Sequence, residues 1–412
     1  MAVKYWVGGG SSTNWDATGN TNWSLTDGGA NDAAVPAAQD DVFFKSAEDC
    51  VINAATSQLK SLDMTGYTGT MSGTSYVLLG PATDSGTVVC TMGGTLSGTW
   101  RFVLEPVGTT TLNLTSSGKT FGLLKSYYGT GTGTISQQDA ITVLVSLSTY
   151  RGTWNTNGYS ISSPCCQIGS DHTHTFNFTN STINMTGSSG WEVNAASTIT
   201  ATGSTINITG TSGVFNSGKD GRSYNVVTFS GAGGIIHSFS STFVTLNVNQ
   251  AGNENGLKIF GGTTQTITNF TTDGYASNLA KIQSDVAEST YTLTKAGGGQ
   301  VSEDYMSIKD CAATPASTWY AGANSTDVSG NSGWVFTTPP PEQGSTNLVC
   351  RLNIDYADTS TNLVCRINVY YIINTKNLVC QIDCVELISD WVEYTTPLNK
   401  NWRYIQIKIA TS

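Results

Sequence analysis

Apolar residues along this chain recur at every second position in short runs, and each run ends in Gly, Asn, Ser or Thr. In "STINMTG" (181–187) Ile183 and Met185 alternate with polar neighbours, and "STINITG" (204–210) repeats the pattern with Ile206 and Ile208. Period-two alternation gives a strand one apolar face, leaving Asn184 and Asn207 on the other. The longest helical candidate, "ASNLAKIQSDVAEST" (276–290), lacks a sustained i, i+3, i+4 stripe, so no helix is expected there. The chain reads as all-β.

The two copies lie 23 residues apart, from 181 to 204. A repeat of this length carrying short strands and Gly turns is the mark of a solenoid in which each coil buries its apolar face on the next. Looser relatives, "TLNLTSSG" (111–118), "TFNFTNS" (175–181) and "TLNVNQAG" (245–252), are not spaced by multiples of 23, so coil length must vary at the loops. A right-handed parallel β-helix accounts for this better than a string of β-sandwich modules, which leaves a near-identical motif at one-coil spacing unexplained.

A stacked coil exposes core and unpaired strand edge at each end and needs capping. Trp6, Trp15 and Trp23 stand among glycines at the start, and Trp319, Tyr320 and Trp334 near the end, so both segments read as aromatic caps. The competing reading of such clusters is a sugar-binding platform. The expected organisation is an N-terminal cap and first strands (1–45), a β-helix body (46–317), a C-terminal cap (318–337), a Pro-rich linker (338–346) and a small antiparallel β domain (347–412). Pro339, Pro340 and Pro341 favour extended polyproline geometry in the linker.

The final segment contains "TNLVCRLNIDYADTS", "TNLVCRINVYYIINT" and "KNLVCQIDCVELISD", a 15-residue repeat in register at Cys350, Cys365 and Cys380. Alternation puts each Cys on an apolar strand face beside Leu and Ile, which favours a small core residue over a metal ligand. A unit this small is marginal alone, so association with copies of itself or with another protein is expected.

Composition narrows the function. Charged residues are 12% of the chain, about half the usual ~25%, and the net charge is −10. With no Lys/Arg cluster, nucleic acid is not an expected partner. No apolar run of about 18 residues suggests membrane insertion, and the opening carries no secretory apolar stretch. Nine Cys without C-x-x-C spacing point to mostly free thiols made in a reducing cytosol.

Candidate chemistry is sparse. Asp171, His172 and His174 in "GSDHTHTF" form the one concentrated titratable cluster of the central coils, where alternation would place the two His on a common face. A surface turn explains it as well as a catalytic or metal site does. Glu254, Asp273, Glu303 and Asp304 read as isolated loop charges, and no nucleophile elbow, zinc helix or phosphate loop occurs. No catalytic residue, cofactor or metal is expected.

The opening "YWVGG…W…NWS…GG…VP…DDVFF" and the closing "DYMSI…WYAGANS…NSGWVF" resemble the segments that bracket tailed-phage virion proteins of β-helical type, over residues 1 to 337. The resemblance implies a fibre, spike or capsid-decoration protein on the virion surface, made in the host bacterial cytoplasm and often trimeric. Its partners would be other virion proteins and a host-surface glycan. The alternatives are a tailspike depolymerase, which needs paired carboxylates, and a receptor-binding fibre that binds glycan without cutting it.

Overall fold

A computed structural model describes residues 2–17, 20–98, 101–126, 132–169 and 172–340. The chain divides into two units, Met1–Glu342 and Gln343–Ser412. Cys350, Cys365, Cys380 and Pro341 lie outside the described residues, as does the expected 347–412 domain. The first unit is all-β, with no helix among the described residues, its parallel strands stacked as a β-solenoid of about 12 turns.

The 23-residue motif is one turn of that solenoid. Thr182–Val193 and Thr205–Ile208 pair in parallel, Ile183 against Ile206 and Met185 against Ile208. All four apolar side chains are fully buried. On the outer face Asn207 donates its amide to Asn184 Oδ1 at 2.8 Å, so the polar residues also stack coil on coil.

The looser motifs fall on two ladders. One runs Thr111, Thr134, Thr153, Thr175, Thr198, with steps of 23, 19, 22 and 23 residues. The other runs Thr182, Thr205, Val226, Thr245, Asn269, with steps of 23, 21, 19 and 24. Strand register is strict because a one-residue slip would turn the apolar face outward, so the corners absorb the difference. Long strands bend through a corner and serve two faces: Thr182–Val193 pairs through Ile183 with Ile206 and through Trp191 with Phe215. The 276–290 window contains the strand Ala280–Ser284.

One corner is a column of glycines. A Cβ on Gly210 would stand 2.2 Å from the Gly187 carbonyl oxygen, and one on Gly231 2.2 Å from that of Gly210. Each coil rests its corner on the carbonyl beneath, which leaves no room for a side chain. Elsewhere the buried Arg222 donates to the carbonyls of Ser217, Asn194, Ala195 and Ser197, gathering two coils where the sheet ending at Ser197–Thr200 stops.

The ends are built differently. At the first coil Val3–Trp6 pairs in parallel with Asp41–Phe44 and antiparallel with Trp23–Ser24, which covers the sheet edge. Trp6, Trp15 and Trp23 are buried. Trp23 meets Trp6 at 5.2 Å and Trp15 at 4.6 Å, both edge to face, and Trp6 stacks on Phe44 at 5.6 Å. Their indole N–H groups donate to backbone, Trp23 to Trp15 O at 2.9 Å and Trp6 to Glu48 O at 3.0 Å.

At the other end the aromatic residues are themselves rungs. Val301–Ser302, Trp319–Tyr320 and Trp334–Val335 pair in parallel, with Trp319 opposite Trp334. Trp319 is buried between Trp334 (5.2 Å) and Phe270 (5.8 Å), and donates to Thr314 O at 2.9 Å. Trp334 and Tyr320 are half-buried, and the strand Thr326–Ser329, which ends the ladder of Met306–Lys309, is exposed throughout. The solenoid thus tapers, with rungs only 18 and 15 residues apart from Val301 to Trp319 to Trp334.

Candidate functional site

Glycan hydrolysis needs a pair of carboxylates free to act on substrate, so the first question is what the carboxylates already do. Seven Asp side chains bind a backbone N–H one coil away. Asp49 accepts from Thr70 N at 2.7 Å, Asp84 from Thr109 N at 2.8 Å, and Asp139 from Ser116 N at 2.7 Å and Ser117 N at 2.6 Å. Further along, Asp220 accepts from Ser240 N at 2.7 Å, Asp273 from Ala251 N at 2.8 Å, Asp285 from Gly261 N at 2.9 Å and Asp304 from Asn324 N at 2.9 Å. Corners break the sheet ladder and leave N–H groups without strand partners; a carboxylate from the next coil satisfies them with a charge-assisted bond.

This corrects the expectation that Asp273, Glu303 and Asp304 are isolated loop charges. Asp273 and Asp304 tie coils together, and Glu303 accepts from the Thr272 N–H at 2.8 Å and its hydroxyl at 2.9 Å. Burial raises the Glu303 pKa, with the Thr272 bonds opposing. Burial would also raise Asp304, but bonds from Asn324 and the Tyr305 N–H outweigh it and hold the carboxyl below its usual range. Both line a cavity of about 270 Å³ near the tapered end, with Thr272, Ser302, Gly322 and Pro339. Glu254 is exposed, and its carbonyl accepts from Lys281 at 3.3 Å.

Glu105 is a buried carboxyl that the sequence did not reveal. It follows the strand Arg101–Leu104, and its N–H donates to Leu79 O at 2.6 Å, which fixes the backbone. One carboxyl oxygen is buried without a hydrogen-bond partner. Burial lifts its pKa to about 7, opposed by the Arg151 guanidinium. Arg151 in turn contacts His172 Nε2. The environment comes from residues tens of positions away, so no local motif could flag it.

The two histidines do not share a face. The strand begins at His174, which is buried 6.4 Å from Phe176, whereas His172 lies in the preceding loop and is exposed. Burial pushes the His174 pKa down to about 4, the backbone of Arg151 and Gly152 opposing, so it is a neutral core residue at neutral pH. Asp171 lies outside the described residues. Among the described residues no three His, Cys, Asp or Glu side chains are placed to hold a metal ion, and Cys50, Cys90, Cys165, Cys166 and Cys311 are free and buried.

The buried cap tryptophans offer little to a sugar. Trp6, Trp15, Trp23 and Trp319 lie in the core, no more than 2% exposed, and have no open ring face. What the outer surface does present is a column of six threonines, Thr87, Thr111, Thr134, Thr153, Thr175 and Thr198, in register at one coil per step of about 4.8 Å. Two residues along stand Val89, Asn113, Ser136, Asn155, Asn177 and Thr200. Neither column carries a charge. Gln138 ties Asn113 to Ser136, at 3.3 Å and 2.9 Å, whereas the six threonine side chains make no hydrogen bond within the described residues. Beneath them Val88, Leu112, Ile135, Trp154 and Phe176 are buried and hold the face rigid.

No family model, no curated protein and no solved structure matches the chain.

Proposed function

We propose that this is a non-enzymatic structural protein of a bacteriophage virion, a surface fibre, spike or capsid decoration, with the segment after the prolines as its attachment module and a homotrimer as its assembled form. The observation that carries the non-enzymatic part is the commitment of the carboxylates: seven Asp side chains are spent on neighbouring-coil N–H groups. The virion part rests on the bracketing segments at both ends of residues 1–337. A stiff, weakly charged column suits projection from a particle, since stacked coils give length without relying on surface charge. Gold labelling of intact particles, with native mass of the released protein, tests this reading. Label on the particle surface and a trimer mass support it; absence from particles, or a monomer, overturns it.

A second reading, adhesion to a host glycan without cleavage, is favoured by the threonine column, which offers uncommitted hydroxyls on a flat neutral face. Glycan-array binding that is lost in Thr134→Lys/Thr153→Lys, with no reducing ends released, supports it. Release of reducing ends by the wild type but not by Glu105→Gln would replace the non-enzymatic reading with a depolymerase that uses Glu105.

A further inference from the structure

The sequence contains two Asn-Gly pairs, Asn157-Gly158 and Asn255-Gly256. Glycine offers the least hindered backbone nitrogen for attack on a preceding Asn side chain. The fold treats the two pairs differently.

Asn157 is locked. Its side-chain amide donates to Ser136 Oγ at 2.9 Å and to Gln137 O at 2.8 Å, one coil away. Asn255 is exposed, and its side-chain amide has no hydrogen bond within the described residues. Its backbone is held in place: Asn255 N donates to Asn253 Oδ1 at 3.0 Å, and Asn255 O accepts from Gln283 at 3.3 Å. Gly256 cannot be replaced cheaply. It has φ +56°, and a Cβ there would lie 2.4 Å from Lys281 Cβ. Coil stacking therefore requires glycine directly after an exposed, unrestrained Asn.

We propose that Asn255 is a site of spontaneous deamidation, with water as the co-reactant. The Gly256 nitrogen, having lost its proton to solvent base, attacks Asn255 Cγ. The side-chain nitrogen leaves as ammonia, taking a proton from water, and a succinimide remains. Water then opens the ring at either carbonyl to give aspartate or isoaspartate. The net change is one water consumed, one ammonia released and one negative charge gained. The new carboxylate forms near Lys281, which already donates to the adjacent Glu254 carbonyl. Isoaspartate lengthens the main chain by one methylene at a corner, where coil length already varies.

The test is to age the full chain at mildly alkaline pH and map isoaspartate and aspartate by peptide mass. Freeing Asn157 requires breaking two hydrogen bonds, so Asn255 is expected to convert about tenfold faster or more. Asn255→Gln is expected to abolish the main acidic species, and Ser136→Ala to accelerate conversion at 157. Conversion at 255 no faster than at 157, or an acidic species that survives Asn255→Gln with unchanged circular dichroism, overturns the proposal.

Discussion

The two ends of the solenoid solve one problem in opposite ways. At the N-terminal end three buried indoles and Phe44 fill the core opening, and the antiparallel Trp23–Ser24 pairs the strand edge. At the C-terminal end the parallel ladder continues through shrinking rungs, with one indole buried, another half-buried, and the Thr326–Ser329 strand exposed. The first end is a stop. The second is a taper that closes the core only partly, and the cavity lined by Glu303 and Asp304 lies there. Aromatic content alone does not separate these two solutions; strand direction and burial do.

The difference can be broken most strongly at Trp23. It touches Trp6, Trp15 and Phe44, so Trp23→Ala should cost about 4–5 kcal/mol, read as a lowered midpoint in urea unfolding. Trp319→Ala should cost about 3 kcal/mol, since its contacts to Phe270 and Trp334 line a thinner core. Trp334→Ala should cost only about 1–2 kcal/mol, because part of the ring is already in water. If Trp334→Ala proved as damaging as Trp23→Ala, the taper would be a full stop after all.

The smallest effects are those of pH at the tapered end, and they oppose each other. Asp304 is held below its usual range, so its contribution is complete above the unfolded value near 3.8 and is lost as pH falls through the folded value. Glu303 is raised, so the folded state binds its proton more readily and stability declines as pH rises from about 4.5 through the folded value. Melting curves should therefore show Asp304→Asn flattening the acid limb, and Glu303→Gln gaining on the wild type as pH rises through the folded Glu303 value. Equal slopes in both variants would remove the assigned roles.

Much of the body was legible in the sequence because two adjacent coils have equal length and nearly equal residues, which exposed the 23-residue period at Thr182 and Thr205. The other ladders were hidden by corners that differ by a few residues, although the T-x-N pattern survived at Thr111, Thr175 and Thr245. The alternation rule failed at His172 because it holds only inside a strand, and the strand starts two residues later. The Asp staples were invisible for another reason: their partner is a backbone N–H, which has no sequence signature. Glu105 was missed because burial by distant residues shifts it, and nothing in "RFVLEPV" records that.

Amide hydrogen exchange over the described residues tests the central claim most directly, since a single stacked column with unequal ends predicts a definite profile. Protection should run through every ladder from Val3–Trp6 to Tyr291–Lys295, and fade at Thr326–Ser329 and Trp334–Val335 while Val3–Trp6 stays slow. Protected blocks separated by fast-exchanging linkers, or a first strand exchanging as fast as the last, would contradict it.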